Sequence, residues 1–450
     1  MSQATIALKT HFSETLKLSI PVMIGQLGMV LMGIQDNLMI GWVSHVHLSA
    51  AALANSLYII FNILGIGVAS AITPLVSEAI GANRKQETGK FLKQGVWASA
   101  IAGFIIFLLV EAVIYYLPYM GQPEEEVAMA IPYLRIINYS TIPILIFTAY
   151  KQYCDGMNNT KAGMIIMVAA LIINCLFNYA LIFGNWGAPR LELLGAAWST
   201  AGIKITMMIA IMIYVHKHKE YIAYIKHHAW KFDPQVIWKV LAIGVPIGLQ
   251  MFFEIAAFAG ATVMMGWLVH PDAARAAHQI AMGTASATFM FCSGLSTGAS
   301  VRIGNYYGMR NYEEMRKAAL AAIYMCLLIM SICALAFIVF HKQLPIWYGV
   351  EDEEVAHTAA MLCFFAAAFQ IFDGLQVVSA GVLRGRQDIR FATITTFFVH
   401  WCVSLPLSYV LAFVFDFWVY GFWMSFILSL FLAALLLTYR VFYFKKTALL

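Results

Sequence analysis

Polar residues are sparse along this chain and fall in groups. Between the groups lie twelve apolar stretches, roughly 16–43, 48–79, 93–117, 132–153, 161–184, 195–216, 237–268, 277–304, 316–340, 356–383, 391–415 and 419–441. Each is long enough for a helix to cross a hydrocarbon core, which takes about 20 residues. Inside lipid the backbone has to satisfy its own hydrogen bonds, so helices are predicted rather than open strands. The pattern predicts an all-α integral membrane protein with 12 transmembrane helices.

The pattern also repeats. Leu18–Val43 aligns without a gap on Ile243–Leu268 at an offset of 225 residues, half of the 450 in the chain. Pro21 falls on Pro246, Met39 on Met264, Gly41 on Gly266 and Trp42 on Trp267. Leu117-Pro118 and Leu344-Pro345 precede the matching acidic stretches Glu124-Glu125-Glu126 and Glu353-Glu354, so the duplication extends past the first helix. An even number of spans per half gives both halves the same orientation, as in transporters built from parallel repeats. The expected organisation is two pseudo-symmetric six-helix bundles. The N-lobe takes 1–216 (helices 1–6), a polar, basic connector takes 217–236, and the C-lobe takes 237–450 (helices 7–12).

Composition agrees: 62% of residues are hydrophobic and 11% charged, far from the roughly 45–50% and 25% of soluble domains. The formal net charge of +5 is no sign of nucleic-acid binding, because the basic residues sort by loop. Of 28 lysines and arginines, 23 fall on the N-terminal side of the alternation, 4 on the opposite side, and Lys204 lies within a span. The positive-inside rule then puts both termini in the cytoplasm, with the chain expected to be multi-pass in the bacterial inner membrane. The N-terminal stretch has no short apolar region ending in a cleavage site, so no removable signal peptide is expected. The seven cysteines have no C-x-x-C spacing and read as small buried hydrophobes.

Carboxylates inside the apolar runs are the informative residues. Such a group costs at least about 2.5–3.5 kcal/mol at the bilayer centre and seldom faces lipid. Asp36, Glu254 and Asp373 stand out. Asp36 and Glu254 sit in the two copies of the repeat but at different positions. Gln250 precedes Glu254 by one turn, and Gln370 and Gln376 flank Asp373 at i−3 and i+3, so these faces are expected to look into the protein. Asn174 and Asn178 stack on one helical face. With a carboxylate they would make an all-oxygen site for a hard monovalent cation; alone, they would make a neutral network linking helices. Gln279 opens the eighth stretch, followed by Met282 and Phe289, a surface suited to varied ligands or to plain packing. Lys204 invites an acidic partner that the pattern does not name.

Nucleotide-driven machinery is missing. Thr88-Gly89-Lys90 resembles the end of a phosphate loop, but Arg84 stands where that loop needs glycine. The chain shows no clustered catalytic set, so an enzyme is not expected, and no cofactor is called for. Ion coupling suffices energetically: one charge crossing about 100 mV releases about 2.3 kcal/mol, enough for a roughly 40-fold solute gradient.

The chain resembles the multidrug and toxic compound extrusion (MATE) family, in its NorM-like bacterial branch. The resemblance rests on Gly33-Ile34-Gln35-Asp36-Asn37-Leu38-Met39-Ile40-Gly41, Phe252-Phe253-Glu254, Ala276-Ala277-His278-Gln279-Ile280, Gly298-Ala299-Ser300-Val301-Arg302-Ile303-Gly304 and Gln370-Ile371-Phe372-Asp373-Gly374. It implies a twelve-helix, V-shaped two-lobe antiporter, monomeric in the bilayer, that exports cationic amphipathic drugs and toxins in exchange for Na+ or H+ by alternating access. Residue by residue, Glu254 and Asp373 would form the C-lobe cation site. Asp36, Asn174 and Asn178 would form the N-lobe site, with Thr200 as a further candidate. Gln279, Met282, Phe289, Gln250 and Gln370 would contact cargo. Phe369 departs from relatives that carry tyrosine there, which removes an oxygen from any C-lobe sodium site and leaves protons open. The alternative is a lipid-linked oligosaccharide flippase on a related two-lobe scaffold.

Overall fold

The computed structural model describes residues 8–228, 230–350 and 352–443. The outermost residues of both termini, Lys445 and Lys446 among them, lie outside that set. The first half contains α1 (Leu8–Gly41), α2 (His45–Ser70), α3 (Ile72–Gly81), α4 (Glu87–Tyr116), α5 (Glu124–Asn138), α6 (Thr141–Gly156), α7 (Lys161–Phe183) and α8 (Glu192–Lys217). A short α9 (Lys219–Lys226) leads to α10 (Pro234–Met265), α11 (Pro271–Gly308), α12 (Tyr312–Phe340), α13 (Gln343–Trp347) and α14 (Glu353–Gly385). The last spans are α15 (Ile389–Phe397), continued to Val414 through two π-helical turns and α16 (Leu405–Tyr409), and α17 (Trp418–Phe442).

Ten of the described helices are long and apolar enough to cross a membrane; the pair α5–α6, bent by 42°, makes an eleventh. The remaining expected stretch, 277–304, lies in α11, which is long enough at 38 residues but is not among those ten or eleven. The reason is visible in its side chains. Ser296, Ser300 and Arg302 are buried within protein, so this helix does not need the apolar surface that lipid demands. Elsewhere the apolar surface faces outward: Leu328, Ile332 and Leu335 of α12 are each more than 60% exposed. Bare side chains of that kind suit acyl chains rather than water.

The chain packs as two compact units, Met1–Met23 with Gln250–Leu450, and Ile24–Leu249. Each unit therefore borrows the opening stretch of the other half's first helix, and both divided helices, α1 and α10, carry an internal proline, Pro21 and Pro246. Small residues make the borrowing possible. On α11, Gly294 and Gly298 meet Met23 and Ser19; on α10, Gly244 and Gly248 meet the α2 backbone at Val68 and Leu64. A Cβ at any of these four glycines would collide with its neighbour.

The connector is fastened within the Ile24–Leu249 unit. The Lys93 ammonium donates to the carbonyl oxygens of Ile225 (2.8 Å) and His228, and Gln94 donates to that of Lys231 (2.7 Å). Lys90 lies 2.7 Å from Asp233, and that hydrogen bond holds the Asp233 carboxyl below the usual carboxylate range.

Candidate functional site

Two buried acid sites form, one in each unit. In the Ile24–Leu249 unit, Asp36 lies on α1 with only 7% of its surface exposed, and α7 and α8 supply its partners. Asn178 Nδ2 donates to Asp36 Oδ1 at 2.5 Å and Thr200 Oγ1 donates to Oδ2 at 3.0 Å. Asn174 Oδ1 accepts from Gln35 Nε2 (3.2 Å) and from Asn178 Nδ2 (3.3 Å), while Asn174 Nδ2 donates to Ser199 Oγ (3.3 Å). The structure thus gathers Asp36, Asn174, Asn178 and Thr200 into one network. Asn178 turns its amide nitrogen toward the carboxylate, and its Oδ1 has no hydrogen-bond partner among the described residues. Turning the Asn178 amide over would bring that oxygen toward Asp36 at the expense of the hydrogen bond its nitrogen donates.

Lys204 stands one turn beyond Thr200 on α8. Its Nζ lies 4.5 Å from the centroid of the Tyr58 ring and 3.4 Å from Tyr58 Oη, within electrostatic reach of Asp36. Beside the network, an open groove of about 750 Å³ runs between α1 and α7, with Ile34, Leu38, Trp42, Ile172 and Tyr179 in its walls and Gln35 as a polar point. Gln35 and Ser199 were not anticipated as members of the site. Gln35 is adjacent to Asp36 in sequence, but consecutive helical positions do not share a face.

In the other unit, Asp373 of α14 is 5% exposed and Glu254 of α10 is half-buried, with the two carboxyls within electrostatic reach of each other. The stripe Gln370, Asp373, Gln376 is buried along its length. Gln370 Oε1 accepts from Thr288 Oγ1 at 2.8 Å. Gln370 Nε2, Asp373 Oδ1 and both amide atoms of Gln376 have no hydrogen-bond partner among the described residues. Polar atoms buried this way cost about 1–3 kcal/mol each until something meets them. A proton or a small cation would meet the two oxygens, Asp373 Oδ1 and Gln376 Oε1; the two amide nitrogens are donors and call for an acceptor.

The cargo candidates scatter. Gln370 belongs to the acid stripe, Gln250 is buried one turn before Glu254, Phe289 is half-buried, Gln279 is exposed, and Met282 packs against the apolar core of its unit. Phe369, one turn before Asp373 on α14, packs in an aromatic box. Its ring centroid lies 5.5 Å from that of Trp423, 6.0 Å from Phe258 and 6.5 Å from Phe426.

The MatE profile matches this chain twice, over residues 21–180 and 246–410. The chain belongs to the MatE family. The two matches begin at Pro21 and Pro246, the same offset of 225 that aligns the halves. The multidrug resistance protein MdtK of Proteus mirabilis is 31% identical over 447 residues, covering 96% of this chain and 95% of the relative. MdtK of Yersinia pseudotuberculosis is 32% identical over 441 residues with the same coverage. The fold is that of solved MATE transporters. The eukaryotic MATE transporter AtDTX14 superposes with a TM-score of 0.88 at 18% identity over 97% of both chains. An outward-facing multidrug resistance MATE transporter of the MOP superfamily gives 0.86 at 17% identity, over 98% of this chain and 99% of that one. This MatE protein is a multi-pass membrane protein.

Proposed function

We propose that this MatE protein is a secondary active antiporter of the bacterial inner membrane, both termini cytoplasmic, that exports cationic amphipathic compounds in exchange for Na+ or H+ by alternating access. The observation that carries the reading is the placing of Asp36, Glu254 and Asp373. Asp36 is buried among amides and a hydroxyl, Asp373 is buried in a polar stripe and Glu254 lies within electrostatic reach of it, acids from apolar runs that could trade a small cation for a larger one. The apolar groove beside Gln35 suits the greasy part of an amphipath, since ligand sites are mostly apolar with a few fixed polar groups. The drug-resistance names of the MdtK relatives support the cargo class. A lipid-linked oligosaccharide flippase is the weaker reading: a pyrophosphate calls for several bases deep in the membrane, and mid-span there is Lys204.

Proteoliposomes loaded with a fluorescent organic cation test the proposal under separately imposed Na+ and pH gradients. Efflux is expected under at least one of them. Absence of gradient-driven efflux under both removes the antiport reading, and dependence on Na+ at fixed pH identifies the ion.

A further inference from the structure

Lys204 has no part in the function proposed above, yet its setting is specific. An ammonium in the middle of a span is as costly as a carboxylate and is retained where it has work to do. Lys204 makes no ion pair among the described residues; its contacts are the Tyr58 ring and hydroxyl. Its place on α8, four residues after Thr200, puts it on the face that serves Asp36, because positions i and i+4 lie one above the other. The charged and titratable groups that act on the carboxylate are Lys204 from α8 and Tyr133 from α5, and Tyr58 from α2 faces Lys204. Asn178 and Thr200 complete its surroundings as neutral donors. The fixed cation is therefore within reach of the acid and out of contact with it, resting on an aromatic face of the kind that holds ammonium groups.

We infer that Lys204 is a resident cation of the Asp36 site: from its place on Tyr58 it balances the carboxylate and competes with any outside cation that arrives. The inference rests on the antiport reading for its significance and assigns Lys204 as the residue that sets how tightly Na+ or an organic cation is held in this half of the protein. The Coulomb energy of two like charges several ångströms apart in a partly buried site is large enough to matter.

The test is equilibrium binding of ethidium to the purified full chain in detergent, followed by fluorescence anisotropy, with NaCl as competitor. Lys204→Met is expected to tighten ethidium and to lower the NaCl concentration that displaces it, each by about 10- to 100-fold. Lys204→Arg, which keeps the charge, is expected to bind as the parent does. Tyr58→Leu removes the resting place and is expected to weaken ethidium several-fold. In an Asp36→Asn background, Lys204→Met should tighten nothing. A role confined to packing does not produce tighter binding. Unchanged or weaker ethidium binding by folded Lys204→Met, or equal tightening with and without Asp36, overturns the inference. Should Lys204→Met fail to fold, Lys204→Gln replaces it under the same criteria. Because binding is read without a gradient, wild-type vesicles that move no ethidium would count against the antiporter and leave this result standing.

Discussion

The two acid sites solve the same problem in opposite ways. Asp36 is met: Asn178 and Thr200 each donate to one carboxylate oxygen, and Lys204 stands in reach as a counter-charge. Glu254 and Asp373 have each other, two acids, beside amide atoms that meet no hydrogen-bond partner among the described residues. A satisfied acid contributes to stability in the empty protein, whereas an unsatisfied pair gives up stability for an appetite for protons or cations. Under the antiport proposal the C-half pair is the candidate for the driving step, and Asp36 is a site whose oxygens the protein's own groups already meet.

Neutralising the C-half is the most severe way to sharpen this contrast. Asp373→Asn and Glu254→Gln are each expected to cut efflux at least about 100-fold, as loss of an essential acid–base group does, with membrane abundance unchanged by immunoblot. Glu254→Gln should also raise the melting temperature in detergent, since it relieves carboxylate repulsion; a lower one would break the comparison. The opposite sign is expected in the N-half. Asp36→Ala strips two charge-assisted hydrogen bonds and leaves their donors stranded, destabilising by about 2–3 kcal/mol in thermal or denaturant melts. Asn178→Ala removes one of the two bonds, with an expected cost of about 1–2 kcal/mol. The smallest effect concerns the aromatic box. Phe369→Tyr puts a hydroxyl among Phe258, Trp423 and Phe426 and should cost about 1 kcal/mol. Transport in those vesicles should remain as indifferent or as responsive to Na+ as the parent; a gain of sodium dependence would mean that position 369 reaches the acids.

Much of the site was legible because lipid makes acids conspicuous. Asp36, Glu254 and Asp373 are each conspicuous in an apolar run, and the i, i+3, i+6 spacing of Gln370, Asp373 and Gln376 already described one buried stripe. Asn174 and Asn178 were legible as a pair, but which of the two expected arrangements they adopt depends on where their amide nitrogens point. That is settled by Gln35, Ser199 and Asp36, neighbours on other helices or on an adjacent position that periodicity assigns elsewhere. Lys204 shows the limit most clearly. Its cost in a membrane predicts a partner, but the partner it touches is an aromatic ring on α2, 146 residues away. The expected eighth stretch lies within α11, whose buried polar side chains spare it the hydropathy that marks its neighbours.

By itself the sequence determined the solvent, the count and phase of the long helices, the duplication and the positions of the costly charges. Those follow from one-dimensional rules, because a bilayer fixes the length and polarity of whatever crosses it. Tertiary structure alone decided which helices touch. It brought α7 and α8 to Asp36 across 142 and 164 residues of chain, and it divided α1 and α10 between units after Met23 and after Leu249. Helix rotation and close approach at glycines set those neighbours, and neither is written in the spacing of apolar residues.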